Sequence, residues 1–205
     1  MSVKTIFLDM DGVIVDFQGP ALEMFGVSRW HVGEIDAWDA MPRVVSKHIG
    51  CQISDADFWE TIEKGDSDFW ANLPWTEMGH AVYALCAHTA PTICMSTPTL
   101  DPNSAKGKLE WLNAQNDTMY KLAVGAPDRH FPKPPCRMYS LTPVKGMFPV
   151  PGSVLIDDSP ANVKAFQEKG GRAYLFPAPW NDPNWRDRDV LTELKDFLSW
   201  EGPTA

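Results

Sequence analysis

The sequence predicts an α/β protein: a mostly parallel sheet with helices on both faces, interrupted by a small helical insertion. Three observations lead there. Five short apolar runs recur along the 205 residues, and helical patterns separate most of them, the alternation that builds a parallel sheet. Polar residues gather after the first four runs, at the strand ends where open parallel sheets bind ligands. From Asp16 to about Pro74 the pattern changes to Trp- and Phe-rich sequence broken by Gly and Pro, without a convincing strand.

The first run, residues 3–8, leads straight into Asp9-Met10-Asp11-Gly12-Val13. Residues i and i+2 of a strand point the same way, so Asp9 and Asp11 can converge on one ligand. Gly12 permits a sharp backbone departure immediately afterwards. The insertion follows at once, so the expected division is a core of residues 1–15 and 76–205 with a helical cap at 16–75. A helix is expected over about 77–88, a strand over 92–95 and a helix over 103–115. The stretch from Asp117 to about Cys136, with three prolines between Phe131 and Pro135, reads as a loop. Strands are expected at 137–141, 154–156 and 173–176. Ser159-Pro160 is a good start for a helix over 160–169, with Ser as cap and Pro in the first turn, and Gly170-Gly171 is a matching stop. A last helix is expected over 190–200.

Composition narrows the function classes. Hydrophobic residues make up 44% and charged residues 22%, as in a globular protein large enough to bury a sizeable core. The net charge of −9 argues against long nucleic acid, which needs a basic footprint, but not against one small anion held by a local cation. Cys51, Cys86, Cys94 and Cys136 show no CxxC spacing and are expected to be buried thiols in a reducing compartment. The first residues lack a basic segment followed by a long apolar one, and no run reaches the ~18 apolar residues of a membrane span. The expected location is therefore the cytoplasm. His31, His48, His80, His88 and His130 form no HxxxH or HxH pattern, so zinc is not expected.

The chemistry sits at the strand ends. The first strand leads into Asp9 and Asp11, and the second into Ser96-Thr97-Pro98. Thr142-Pro143-Val144-Lys145 follows the third, and Asp157-Asp158 closes the fourth. One sheet edge thus gathers four carboxylates, two hydroxyls and a lysine. Such a set suits phosphoryl transfer through a covalent intermediate. A carboxylate can attack phosphorus if a cation such as Mg²⁺ offsets its repulsion from phosphate. A second carboxylate can protonate the leaving oxygen and then deprotonate water, while lysine and hydroxyls hold the phosphoryl oxygens.

FLDMDGVIVDF, CMSTPT, TPVK and VLIDDS, in this order, resemble the four motifs of the haloacid dehalogenase (HAD) superfamily of phosphatases. The resemblance spans about 150 residues as spaced motifs, with the cap inserted after the first. Within the superfamily the chain is similar to the 5′(3′)-deoxyribonucleotidases. Phe69-Trp70, Ile93-Cys94, Glu110-Trp111, Thr142-x-x-Lys145, Leu175-Phe176 and Pro179-Trp180-Asn181 add to that likeness. It implies a Rossmann-like core, with Asp9 as nucleophile and Asp11 as general acid/base that also offers its backbone carbonyl to Mg²⁺. It implies Ser96, Thr97 and Lys145 as phosphate ligands, and Asp157 and Asp158 completing the metal site with Asp9 and Asp11. Which of Asp157 and Asp158 touches the ion stays open.

Two departures stand out. The long proline-rich segment before the lysine motif makes Lys133 a competitor to Lys145, and the hydroxyl pair is Ser-Thr where the family order is Thr-Ser. In the cap, Trp30, Trp38, Phe58, Trp59, Phe69 and Trp70 read either as core or as a slot for a nucleobase. Phe58, Trp59, Phe69 and Trp70 are the preferred candidates for the slot. Asp16 reads equally as a hinge residue or a helix start, and Lys106 and Lys108 as a solvated helix face rather than as phosphate ligands. The expected activity is Mg²⁺-dependent hydrolysis of a (deoxy)nucleoside 5′-monophosphate, without long nucleic acid or membrane as partner and compatible with a homodimer. Its rivals are a phosphatase for a sugar phosphate or phosphoglycolate, a polynucleotide end phosphatase, and a non-catalytic binding protein. The last predicts loss of a motif carboxylate or of the lysine, and none is missing.

Overall fold

A computed structural model describes residues 2–124, 139–142, 145 and 149–200. Its sheet contains β1 (Thr5–Asp9), β2 (Thr92–Ser96), β3 (Tyr139–Leu141), β4 (Ser153–Asp157) and β5 (Arg172–Leu175), in the order β3-β2-β1-β4-β5. All four pairings are parallel. The chain grows from β1 to one side through β2 and β3, then crosses back to β4 on the other. The point of reversal lies between β1 and β4, where such sheets open a crevice at the strand ends. The register places Leu8 beside Ile156 and Asp9 beside Met95, so Asp9, Asp157 and Ser96 leave the sheet at one edge.

Helices α1 (Gln18–Glu23), α2 (Met41–Ile49), α3 (Asp55–Glu63) and α4 (Asp66–Ala71), with a 3-10 turn at Arg29–Glu34, lie between β1 and the next core helix. Residues 16–75 carry no named strand. Ser54 and Asp57 form a reciprocal capping box at the start of α3. The insertion leaves and rejoins the core through paired backbone. Asp16 N donates to Pro74 O at 2.9 Å, and Thr76 N donates to Ile14 O at 3.0 Å. Asp16 lies in this joint by its backbone, and its Oδ1 accepts from Gly19 N in the first turn of α1 at 2.9 Å. One continuous apolar core runs from Ile6 and Leu8 in the sheet to Phe58 and Ile62 in the insertion.

The remaining helices are α5 (Gly79–Thr89), α6 (Pro102–Ala114), α7 (Asn116–Val124), α8 (Pro160–Glu168) and α9 (Val190–Ser199). Ser159 caps α8 by accepting from Asn162 N, as Ser159-Pro160 suggested, and Gly170 takes φ +81° after its end. One expectation fails: the segment read as a loop from Asp117 starts as α7. It packs against α5 and buries Met119, a periodicity too short to stand out beside the prolines that follow. Cys86 and Cys94 are buried, whereas Cys51 is exposed, since it falls just beyond the end of α2. Cys136 and Lys133 lie outside the described residues. Among the described residues, no helix is long and apolar enough to cross a membrane.

Candidate active site

Three buried carboxylates, Asp9, Asp157 and Asp158, present oxygens within 4.8 Å of one another at the β1/β4 crevice. Asp9 Oδ1 accepts from Met10 N at 2.6 Å and is paired with Lys145 Nζ, which also lies 3.5 Å from Asp157 Oδ2. Asp157 is otherwise saturated: Ser159 N donates to its Oδ1 at 2.9 Å, and Asn162 Nδ2 reaches both oxygens at 3.1 and 3.2 Å. Asp158 differs. Its backbone carbonyl is held by Trp180 Nε1 at 3.3 Å and Asn181 Nδ2 at 2.7 Å, but its buried Oδ2 has no partner among the described residues. Gly12, at φ +80°, makes room for it, since a Cβ there would stand 2.0 Å from Asp158 Oδ2.

The electrostatics follow from crowding. Burial first, and Asp157 second, push the Asp9 carboxyl up to about 8, against the pull of Lys145. Burial and Asp9 likewise raise Asp158 well above the carboxylate range. Burial opposes the charge on Lys145, yet Asp9 and Asp157 together hold it above the ordinary lysine range. With all three buried carboxylates ionised, the one ammonium leaves an excess of negative charge. That excess and the orphaned Asp158 oxygen fit a hard divalent cation, which oxygen ligands of this kind hold well.

Asp11 stands apart from this trio and carries its own support. Its Oδ2 accepts from Ser96 Oγ at 3.0 Å and is paired with Lys108 Nζ, which also donates to Ser96 Oγ at 2.7 Å. Its Oδ1 is buried without a partner among the described residues. Lys108 corrects the sequence reading, because it is 2% exposed and not on a solvated face. The buried residues of α6 are Ser104, Gly107, Lys108, Trp111 and Leu112, a helical stripe that contains the lysine. Lys106 does lie on the open face, beside Glu110. The stripe was visible in the sequence, but a charged residue within it reads as an interruption unless its partner is known.

Thr97 is exposed, and its hydroxyl donates to Thr142 O at 2.9 Å, tying the loop after β2 to the end of β3. The cap aromatics divide. Phe58 is 1% exposed and stacks on Phe25 at 5.2 Å, and Trp70 is 3% exposed and stacks on Phe17 at 5.3 Å. Both rings lie within the apolar core shared with the sheet, each with one face covered by another aromatic ring. Trp59 and Phe69 are half-buried and flank Phe17. Trp38 crosses from the cap to meet Trp180 edge-on at 5.3 Å, above the loop that holds Asp158.

Neither family models nor curated proteins match the chain. Solved structures do. The putative HAD-hydrolase YfnB from Bacillus subtilis, solved bound to magnesium, aligns with a TM-score of 0.58 at 13% identity, covering 98% of this chain and all of the other. A hydrolase from Streptococcus pneumoniae TIGR4 aligns at 0.52 with 11% identity, over 87% of this chain and 95% of that one. This is a HAD-like fold. A HAD family hydrolase from Deinococcus radiodurans R1, with bound phosphate and sodium, aligns at 0.50 with 16% identity, over 96% of this chain and 95% of its own. HAD-like topology explains why the motif residues, spread over some 150 positions, meet at one crevice: each follows a different strand of a single parallel sheet.

Proposed function

We propose that the protein is a Mg²⁺-dependent phosphomonoesterase that hydrolyses (deoxy)nucleoside 5′-monophosphates to nucleoside and phosphate. The observation that carries this reading is the convergence of Asp9, Asp157 and Asp158 around one lysine, with Asp11 held separately by Lys108 and Ser96. Asp9 and Asp158 would ligate the metal directly, because Asp157 is already occupied by Ser159 and Asn162. The ion's contribution is to offset the repulsion between carboxylate and phosphate. A carboxylate oxygen of Asp9 attacks phosphorus and the ester P–O bond breaks, giving an aspartyl-phosphate. Asp11 gives its proton to the departing nucleoside oxygen. Asp11 then takes a proton from water as the water oxygen attacks phosphorus, and phosphate leaves with Asp9 restored. Lys145 and Ser96 stabilise the charge on the phosphoryl oxygens.

The nucleotide reading rests on the half-buried rings of Trp59 and Phe69 in the cap. The burial of Phe58 and Trp70 favours the rival, a smaller phosphoester such as a sugar phosphate. Phosphate release from a panel of ribo- and deoxyribonucleoside monophosphates and sugar phosphates, with Mg²⁺ and with EDTA, decides between them. The expected outcome is Mg²⁺-dependent release that favours nucleotides. With p-nitrophenyl phosphate, Asp9→Asn is expected to lose about 10³-fold or more in kcat. Undiminished turnover by that variant would exclude the covalent mechanism.

A further inference from the structure

A second group of metal-ligating side chains lies in the cap, outside the crevice. His31 and Glu34 come from the 3-10 turn Arg29–Glu34, and His48 from the last turn of α2. The turn explains the first pair, because residues i and i+3 of a 3-10 helix eclipse one another. His31 Nδ1 lies 2.7 Å from Glu34 Oε1, and His48 Nε2 lies 3.1 Å from the same oxygen. The two imidazoles face each other with centroids 3.7 Å apart. All three ligand atoms fall within 4.8 Å of one another. Lys47 occupies the other carboxylate oxygen, Oε2, at 2.6 Å.

We propose that His31, Glu34 and His48 form a binding site for a divalent transition ion of the Zn²⁺ type, which fastens the 3-10 turn to α2. Two imidazoles and one carboxylate are a donor set that borderline-soft ions accept, with a fourth position left to water. Mg²⁺ prefers oxygen ligands, so this site and the carboxylate crevice select different ions. The sequence lacks HxxxH and HxH because the second histidine arrives from another helix, 17 residues after the first. The site is independent of the proposed phosphatase activity.

Equilibrium dialysis of the full chain against Zn²⁺, with millimolar Mg²⁺ to occupy the crevice, tests this directly. One equivalent of Zn²⁺ is expected to remain bound. His48→Ala and Glu34→Gln should each weaken binding at least tenfold, with circular dichroism confirming that they fold. Lys47→Ala should tighten binding, because it removes a cation from the ligating carboxylate, and Asp158→Asn should leave binding unchanged. Co²⁺ should give the visible absorption of a tetrahedral site in the wild type and lose it in His48→Ala. No bound Zn²⁺ in the wild type, or equal binding in His48→Ala, would overturn the proposal. The cluster would then be a set of ion pairs whose occupant is a proton.

Discussion

Lys108 is the residue on which the site turns most sharply. A buried ammonium is tolerated only when paired, and here it is shared between Asp11 and Ser96, with Nζ 5.0 Å from the ring centre of Trp70. It therefore fixes the orientation of the proposed acid/base. Lys108→Met keeps most of the volume but removes the charge, and is expected to lower kcat by about 10²-fold at saturating substrate and Mg²⁺. Unchanged kcat would make Lys108 a packing residue only. Trp59 offers a separate test of substrate class. Trp59→Ala should raise KM for nucleotides by about 5- to 100-fold, the worth of one stacked base, while leaving KM for p-nitrophenyl phosphate unchanged. Equal changes for both substrates would assign Trp59 to the cap core with Phe58.

At the scale of elements, the contact between α4 and α6 couples the cap to the site. Gly107 allows it: a Cβ there would stand 2.3 Å from Ser67 O and 2.5 Å from Trp70 Cβ. Lys108 is the next residue, so separating these helices would displace its ammonium from Asp11. Gly107→Ala is expected to cost about 1–3 kcal/mol, read as a lower urea midpoint, and to reduce kcat as well. The joint is secured elsewhere too, since Trp111 Nε1 donates to Leu73 O at 2.7 Å and Trp75 Nε1 to Gln115 Oε1 at 3.0 Å. Strand and helix periodicity made α5, α6, α8 and α9 legible to within a few residues. The start of α7 was hidden because a nine-residue helix beside a proline-rich stretch offers too few turns to establish a pattern.

Across the whole molecule, the insertion and the sheet share one apolar core and meet at the paired backbone of residues 14–16 and 74–76. Asp16 sits in that joint with its carboxyl raised by burial, although Gly19 N and Arg29 oppose the shift. A carboxyl whose folded pKa exceeds its unfolded value binds more protons in the folded state. It therefore subtracts stability as pH rises above the usual 3.8. Asp16→Asn keeps an oxygen for Gly19 N and removes the titration. Thermal melts of the variant should show a shallower loss of stability over that acid range than the wild type; identical slopes would place the titration elsewhere. What the sequence determined by itself was the alternation of strands and helices, the helical insertion and the succession of polar motifs, because these depend on local periodicity and on strand ends. Tertiary structure alone decided the surroundings of Lys108 and Asp158, the division of the cap aromatics, and the meeting of His31 and Glu34 with His48. Those depend on which distant side chains share a buried space, and no spacing along the chain records the distance between two elements folded against each other.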